Sequence, residues 1–378
     1  MNNRGNFSKH LSVFVLLTLY AVSTFGWGKT GHQIISGNFT NLLPSPLSAL
    51  SKMSSYYVQH ASDADYRKNS DPSEGPKHFM DMDYYPEFKT GTLTHNLDSL
   101  IAKYGSVTVT NNGILPWAIS SAYDSVVVYM HNGDWNDANR LIADLGHYVG
   151  DAFQPLHCTQ NYDGKLTGNS GIHSRFETKL LDAYANQVSI QRRTVEKTNS
   201  SPLEYAFQII TQSNSKVQPI LDADSYAKSI DPNYGTAYYN SLWSKLDSLM
   251  IRQLQGASEA LASLVYSAWL DAGSPVITRI SAQTPSTFYI SERYPNPFNP
   301  STNIKIIIPQ SFSPSNVRVS AYSLDGKMVK NENLILHPGN NSLPLNFTGF
   351  PSGTYLVAVE IAQSGWKERR TLKAVLVK

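Results

Sequence analysis

Two short segments of this chain each place a histidine four residues before an acidic residue. His147 and Asp151 lie in the run HYVGD, and His173 and Glu177 lie in HSRFE. Residues four apart share one face of an α-helix, so each pair predicts a helix that presents an imidazole beside a carboxylate. A single pair is typical of a surface ion pair, but two pairs joined by a loop containing His157 indicate a metal site. Imidazole and carboxylate ligands at this spacing suit zinc.

Further ligand candidates precede these pairs. Asp65 lies in DADYRKN, and His78 lies in KHFMDMD. Asp63, two residues earlier, is the alternative ligand to Asp65 if the motif is assigned two residues out of register. Asp81 and Asp83 also compete with Asp65, but their spacing favours outer or solvated positions.

Residues 1–26 are typical of a secretory signal peptide, with a basic start at Arg4 and Lys9, an apolar stretch and small residues. Cleavage after this segment makes Trp27 the first residue of the mature chain. Its free α-amine, with an unperturbed pKa of about 8, can bind a metal at neutral pH. His32, five residues later, can reach the same ion. The amino terminus of Trp27 is therefore a ninth candidate ligand.

The net charge of the chain indicates whether nucleic acid is its binding partner. The formal net charge of +2 includes Arg4 and Lys9, and without them 29 basic residues face 29 acidic ones. A neutral mature chain argues against an extensive nucleic-acid surface, though not against a local groove.

Cys158 is the only cysteine, so no internal disulfide can form, and we interpret it as a small packed residue. No later apolar run reaches the ~18 residues of a membrane span, and we expect a soluble, monomeric mature protein.

The pattern is helical over residues 27–272, where apolar residues recur at helical spacing and Pro116 is a helix start signal. Few alternating runs occur in this part. We therefore predict a mostly α-helical domain with a single core. The predicted helices are 32–43, 47–59, 117–130, 139–152, 173–184, 201–211 and 239–270.

The texture of the sequence changes after Ala272. Residues 273–290 are rich in Gly, Ser, Thr and Pro and are predicted to form a linker. Alternating β-branched runs follow at 302–308, 317–322 and 355–360, with turn signals such as Asp325-Gly326 between them. This pattern predicts a small antiparallel β-sandwich over residues 291–378.

Four runs of this β-region, YPNPFNPSTNIKI, SAYSLDGKMV, GTYLVAVE and LKAVLVK, resemble the type IX secretion C-terminal sorting domain. The resemblance covers residues 294–378. It implies export through the bacterial periplasm and across the outer membrane by the type IX machinery, followed by release or surface attachment. A carbohydrate-binding or spacer β-module is the alternative.

The metal-ligand candidates, taken in order, resemble the superfamily of zinc-dependent phospholipases C and single-strand-specific nucleases of the S-one/P-one type. The resemblance is close over residues 27–181 and implies a mostly α-helical catalytic domain with three Zn²⁺ ions. It implies a first zinc held by Asp65, His78, His147 and Asp151, a second held by His157, His173 and Glu177, and a third held by Trp27, His32 and Asp151.

The two branches of this superfamily are both represented in the motifs. WGKTGH and GDAFQPLH are nuclease-like, whereas HSRFE, which ends in glutamate, and the short run from His157 to His173 are phospholipase-like. Tyr66 follows Asp65 where the phospholipases have a head-group tyrosine, and its ring can attract a choline-like cation. Simple packing is the alternative role for Tyr66.

The resemblance implies hydrolysis of phosphodiesters, with Asp65 taking a proton from the attacking water. A phospholipid head group is the preferred substrate, and single-stranded nucleic acid is the alternative. A zinc-stabilised surface protein without turnover is a third possibility, but structural zinc sites close their coordination with protein ligands.

Overall fold

The computed structural model describes residues 27–69, 71–277, 289–290, 298–308, 314–337, 339–363 and 366–377. The predicted signal peptide and most of the predicted linker lie outside these described residues. The described chain is helical up to residue 271 and consists of β-strands from residue 289 onward.

Thirteen α-helical segments are found in the described part of the first region. They are α1 (Gly28–Asn38), α2 (Ser54–His60), α3 (Asp63–Arg67), α4 (Pro86–Thr90), α5 (Leu97–Tyr104), α6 (Ser106–Asn111), α7 (Leu115–Asn132), α8 (Trp135–Ala152), α9 (Ile172–Ser174), α10 (Leu181–Tyr184), α11 (Pro202–Asn214), α12 (Val217–Ile230) and α13 (Thr236–Asp271). A π-helical stretch, Arg175–Leu180, joins α9 to α10. Short 3₁₀ segments include Ser45–Met53, Gly75–His78 and Pro155–Cys158.

Helix α8 lies at the centre of the helical region. Its residues 142–152 are all buried, and α1, α7 and α13 each contact it. Two glycines of α8 permit this close packing. A Cβ added at Gly146 would lie 2.9 Å from Leu261 of α13, and one added at Gly150 would lie 2.9 Å from Nδ1 of His32 in α1. Charged side chains on so buried a helix need a partner inside the protein.

The predicted helical class is confirmed, and the strongly periodic helices α7, α8, α11 and α13 appear close to their predicted bounds. The segment predicted as one helix over 47–59 is instead a 3₁₀ helix, Ser45–Met53, followed by α2. The 3₁₀ helix has Pro46 in its first turn and contains three serines, whose side chains compete for backbone hydrogen bonds. Helix α12 and the short helices α3, α4, α5 and α6 were not predicted.

The β-region forms two antiparallel sheets. The strands are β1 (Tyr289–Ile290), β2 (Ser301–Ile308), β3 (Ser315–Ser323), β4 (Met328–Leu336), β5 (Gly339–Asn346), β6 (Gly353–Gln363) and β7 (Trp366–Leu376). One sheet has the order β1-β2-β5 and the other β4-β3-β6-β7. Inward-facing residues of both sheets, such as Ile304, Leu345, Val319 and Val357, share one hydrophobic core. This arrangement confirms the predicted small β-sandwich, with strand pairing that begins at Tyr289.

Candidate metal centre

Helix α8 supplies the two residues on which the site is built. His147 and Asp151 are fully buried and lie on one face of the helix, with His147 Nε2 3.3 Å from Asp151 Oδ2. The His147 Nδ1 nitrogen is 2.8 Å from the carbonyl oxygen of Ala61, which fixes the ring so that Nε2 points toward the carboxylate.

Helix α1 brings His32 against this pair. Its ring stacks on that of His147 with centroids 3.9 Å apart, and its Nε2 lies 3.4 Å from Asp151 Oδ1. Glycine at position 150 leaves the space that the His32 ring occupies. The two oxygens of Asp151 therefore face different partners, Oδ1 toward His32 and Oδ2 toward His147.

Asp65 of α3 and His78 of the 3₁₀ segment complete this side of the site. His78 Nδ1 lies 2.9 Å from Asp151 Oδ2 and 3.0 Å from His147 Nε2. Asp65 Oδ1 lies 3.6 Å from both His78 Nδ1 and His147 Nε2, and 2.6 Å from the ammonium of Lys68. Asp65 rather than its neighbour two residues earlier thus faces the histidines.

A second group forms where the loop after α8 meets the π-helical stretch. His157 Nε2 lies 3.0 Å from His173 Nε2, and Glu177 Oε2 lies 2.8 Å from that same His173 nitrogen. The Gln154 amide donates to Glu177 Oε2 at 3.4 Å, and His157 Nδ1 lies 2.7 Å from the carbonyl oxygen of His78. His157 Nδ1 also lies 3.5 Å from Asp151 Oδ1, which links this group to the first.

The described residues contain three buried groups in which the candidate ligand atoms lie within 4.8 Å of one another. His147 belongs to two of the three. The groups are His32 with His147 and Asp151, Asp65 with His78 and His147, and His157 with His173 and Glu177. They are consistent with three metal sites, and they contain all eight side chains that the sequence proposed as ligands.

The electrostatics of the site depend on these contacts. Burial lowers the pKa of His32 to about 4, with repulsion from His147 acting in the same direction. Burial would also lower the pKa of His147, but the carboxylates of Asp65 and Asp151 raise it to about 10. Burial raises the pKa of Glu177 to about 8 and lowers that of His173 to about 4. Without a cation, a proton on His147 therefore neutralises part of the buried negative charge.

The donor set and its hydrogen bonding fit a bound cation. Both ring nitrogens of His32, Oδ2 of Asp65 and Oδ1 of Asp151 are buried and have no hydrogen-bond partner among the described residues. A buried polar atom without a partner costs about 1–3 kcal/mol, so several at one point indicate that another species completes them. Nitrogen and carboxylate oxygen donors, three or more to a group, are ligands that zinc accepts.

The remaining candidates from the sequence lie in different surroundings. Trp27 is fully buried immediately before α1, and its ring packs on Phe176 with centroids 5.7 Å apart. The proposed cleavage before Trp27 falls outside the described residues. Tyr66, beside Asp65, is 46% exposed, so its ring is accessible. Cys158 is buried, and its thiol donates to the carbonyl of Gln154 at 3.4 Å, as expected for a packed residue.

The acidic alternatives to Asp65 have other partners. Asp63 pairs with His60 at 2.7 Å. Asp83 accepts hydrogen bonds from the Thr159 hydroxyl at 2.7 Å and from the backbone nitrogen of Gln160 at 2.9 Å. Asp81 belongs to none of the three groups, and burial, followed by the nearby Asp83, raises its pKa to about 7.

Sequence reasoning missed the residues that surround the candidate ligands. Glu74 is buried beside His78, with Oε1 3.6 Å from His78 Nε2, and it accepts hydrogen bonds from Tyr148 and Arg67. Arg175 holds the segment of His173 and Glu177 through Asp224 of α12, at 2.9 Å. Glu74 had a readable signal, because it precedes His78 by the same four residues that separate the other pairs.

Residues 292–373 match the family described as the secretion system C-terminal sorting domain. The predicted type IX sorting domain is thereby confirmed, and the protein is secreted or attached to the cell surface. No helix among the described residues is long and apolar enough to cross a membrane.

Comparisons over longer stretches are weak. A probable serine protease from Bradyrhizobium tropiciagri is 26% identical over 191 residues, which are 42% of this chain and 24% of that protein. This chain thus spans about a quarter of the curated relative that it matches.

Two solved structures are also similar. They are the alpha-toxin of an avian strain of Clostridium perfringens (13% identity, TM-score 0.43, covering 93% of this chain and 98% of that one) and the alpha toxin of Clostridium absonum (12% identity, TM-score 0.41, covering 91% and 96%). At this level of likeness neither toxin informs on activity, which has to be derived from this chain's own residues.

The close approach of α1 to α8 yields a matched pair of variants. Gly150→Ala places a Cβ 2.9 Å from the His32 ring, whereas Gly146→Ala places one 2.9 Å from a terminal methyl of Leu261. Crowding in a packed core costs about 1–3 kcal/mol, and the gain in helix propensity returns up to about 1 kcal/mol. We expect Gly150→Ala to weaken zinc binding and Gly146→Ala to leave it near the wild-type value, as measured by chelator competition. Equal zinc affinity in both variants would contradict the placement of His32.

Proposed function

We propose that this protein is a secreted zinc-dependent hydrolase of phosphodiester bonds, with a phospholipase C-like activity. The observation that carries the proposal is the convergence of three buried histidine–carboxylate groups within one helical core. A purely structural zinc site needs four ligands around one ion. The group of His157, His173 and Glu177 has only three side chains, so a zinc ion held there would keep a coordination position for water or substrate.

On this proposal the ligands divide among three zinc ions. A first ion is held by Asp65, His78, His147 and Asp151, a second by His157, His173 and Glu177, and a third by His32, Asp151 and the backbone amine and carbonyl of Trp27. The shared role of Asp151 is supported by its two oxygens, which face different histidines. The role of Trp27 is supported by its burial at the start of α1, five residues before His32.

Bound zinc supplies two things to phosphodiester hydrolysis: it neutralises the anionic phosphate, and it makes water a better nucleophile at neutral pH. The protein supplies position and proton transfer. Burial would raise the pKa of the Asp151 and Asp65 carboxyls, but the neighbouring His147 keeps both pKa values below their usual range. Asp65 is therefore ionised at neutral pH. Its Oδ2 has no hydrogen-bond partner, so it is available to accept a proton from the attacking water.

Two features favour a phospholipid head group as the substrate. Tyr66 is 46% exposed beside Asp65, so its ring can face a choline-like cation. The mature chain has no excess of basic residues with which to neutralise a polynucleotide. Single-stranded nucleic acid is the second candidate, supported by the nuclease-like runs WGKTGH and GDAFQPLH.

The shared role of Asp151 distinguishes it from the other carboxylates. Asp151→Asn keeps the side-chain shape but removes a charge that faces four histidines, so it should release zinc from two sites. Glu177→Gln should affect only the second group. We expect turnover to fall by more than ~100-fold in Asp151→Asn, beyond the usual cost of losing an outer partner. Elemental analysis of both variants, each as purified, measures the number of zinc ions per chain. Equal zinc loss in both would mean that Asp151 is not shared.

The amino-terminal ligand is tested by adding one residue. A chain that begins Met-Trp27 converts the amine to an amide, which cannot bind zinc in the same way, so it should carry about one zinc fewer and little activity. Trp27→Phe, correctly processed, keeps the amine and should keep its zinc, although losing the buried indole lowers stability. If the extended chain binds and turns over like the processed one, Trp27 is not a ligand.

Substrate choice requires a side-by-side assay of the processed protein. We expect hydrolysis of phosphatidylcholine in vesicles to exceed hydrolysis of single-stranded DNA. Tyr66→Ala should lower kcat/KM for the lipid by about 2- to 30-fold, the equivalent of ~0.5–2 kcal/mol of cation–π attraction. Tyr66→Phe keeps the aromatic face and serves as the matched control. Activity on DNA alone would replace the lipid proposal with the nuclease one.

A further inference from the structure

We propose that Glu74 is a positioning residue for metal binding: it accepts a hydrogen bond from Nε2–H of His78 and so holds this imidazole with Nδ1 toward the metal. The inference rests on the metal sites proposed above. Glu74 is 1% exposed and lies immediately before the 3₁₀ segment that ends at His78. It belongs to none of the three ligand groups.

The two ring nitrogens of His78 face opposite ways. Nδ1 points into the site, 2.9 Å from Asp151 Oδ2 and 3.0 Å from His147 Nε2. Nε2 points away from it, toward Glu74 Oε1 at 3.6 Å, and has no hydrogen-bond partner among the described residues. A neutral imidazole that binds metal through Nδ1 carries its proton on Nε2. That buried N–H needs an acceptor, and a movement of about 0.5 Å brings it within hydrogen-bond distance of Glu74.

The Glu74 carboxylate is itself held from several sides. Oε1 accepts hydrogen bonds from the Tyr148 hydroxyl and, at 3.2 Å, from Arg67 Nη2, while Oε2 lies 2.9 Å from Lys77 Nζ. Arg67 is in turn anchored by Asp144 at 2.8 Å. Two cations beside one buried carboxylate keep it ionised and fix its position. A fixed anion orients an imidazole more narrowly than a mobile one does.

His78 differs from His147 and His157 in which ring nitrogen it presents to the site. His147 and His157 place Nδ1 against the backbone carbonyls of Ala61 and His78, at 2.8 and 2.7 Å, and present Nε2 to the site. His78 presents Nδ1 instead, and its outer partner is a carboxylate rather than a carbonyl. A carboxylate makes the ligand nitrogen more basic, so Glu74 should strengthen metal binding as well as orient the ring.

The test compares Glu74→Gln with Asp144→Asn. Glu74→Gln keeps the shape of the side chain and removes its charge, whereas Asp144→Asn weakens the anchoring of Arg67 without touching His78. Both should lower the unfolding midpoint. Only Glu74→Gln should lower the affinity of one of the three zinc ions, by about 10- to 100-fold in chelator competition.

A spectroscopic signal separates positioning from general stability. In the zinc-loaded wild-type protein, ¹H–¹⁵N spectra should show a proton on His78 Nε2, shifted downfield by its carboxylate acceptor. In Glu74→Gln this resonance should move upfield, and in Asp144→Asn it should stay near its wild-type position. Tyr148→Phe removes a competing donor from Glu74 Oε1 and should move the resonance further downfield. This last variant keeps the test available if Glu74→Gln does not fold.

The outcomes distinguish this inference from the proposed function. If the wild-type protein binds three zinc ions but Glu74→Gln keeps their affinity, or the His78 resonance does not move in Glu74→Gln or Tyr148→Phe, Glu74 does not position His78. Equal zinc loss in Glu74→Gln and Asp144→Asn would likewise overturn the inference. A wild-type protein that binds no zinc would overturn the proposed function first.

Discussion

Two buried carboxylates, Asp65 and Asp151, impose the constraint on which the rest of the helical domain depends. An ionised carboxylate away from water is costly unless a positive charge and hydrogen bonds compensate it. In the metal-free chain this charge comes from Lys68 beside Asp65 and from His147, whose pKa the two carboxylates raise to about 10. On the proposed function zinc takes the place of that proton, so metal binding releases protons and contributes to folding. Gly150 of α8 leaves space for the His32 ring, and the buried Glu74 lies beside His78, so both contribute to the packing around these carboxylates.

The sequence predicted the parts of this arrangement that follow from local spacing. His147 with Asp151 and His173 with Glu177 were found because four residues make about one helical turn. The sequence did not show which segments, distant along the chain, contact one another in the fold. Tyr148 reaches Glu74 across 74 residues, and Arg175 reaches Asp224 across 49, and no local pattern records either contact. The exposure of Tyr66 was likewise invisible in the sequence.

The fold shows the same division. Helices α7, α8 and α13 carry long apolar periodicities and were predicted close to their bounds. The β4 strand, MVKNENLIL, was missed because it lies at a sheet edge and most of its residues are exposed or half-buried, so little apolar alternation marks it. In β5, Pro344 and three asparagines weaken the strand signal in the same way. The sandwich core is nevertheless drawn from both sheets, as the alternation in β2, β3 and β6 predicts.

Secretion and the proposed metal binding complement each other in this chain. Cys158 is the only cysteine, so no internal disulfide stabilises the exported protein. Its stability therefore depends on its two hydrophobic cores and, on the proposed function, on the zinc ions bound by the buried histidine–carboxylate groups. The most direct measurement is a crystal structure of the processed protein, with anomalous scattering recorded at the zinc absorption edge. The account predicts three peaks, one at each of the three histidine–carboxylate groups, with Asp151 between two of them. A well-ordered site without zinc peaks, or peaks located away from these residues, would contradict it.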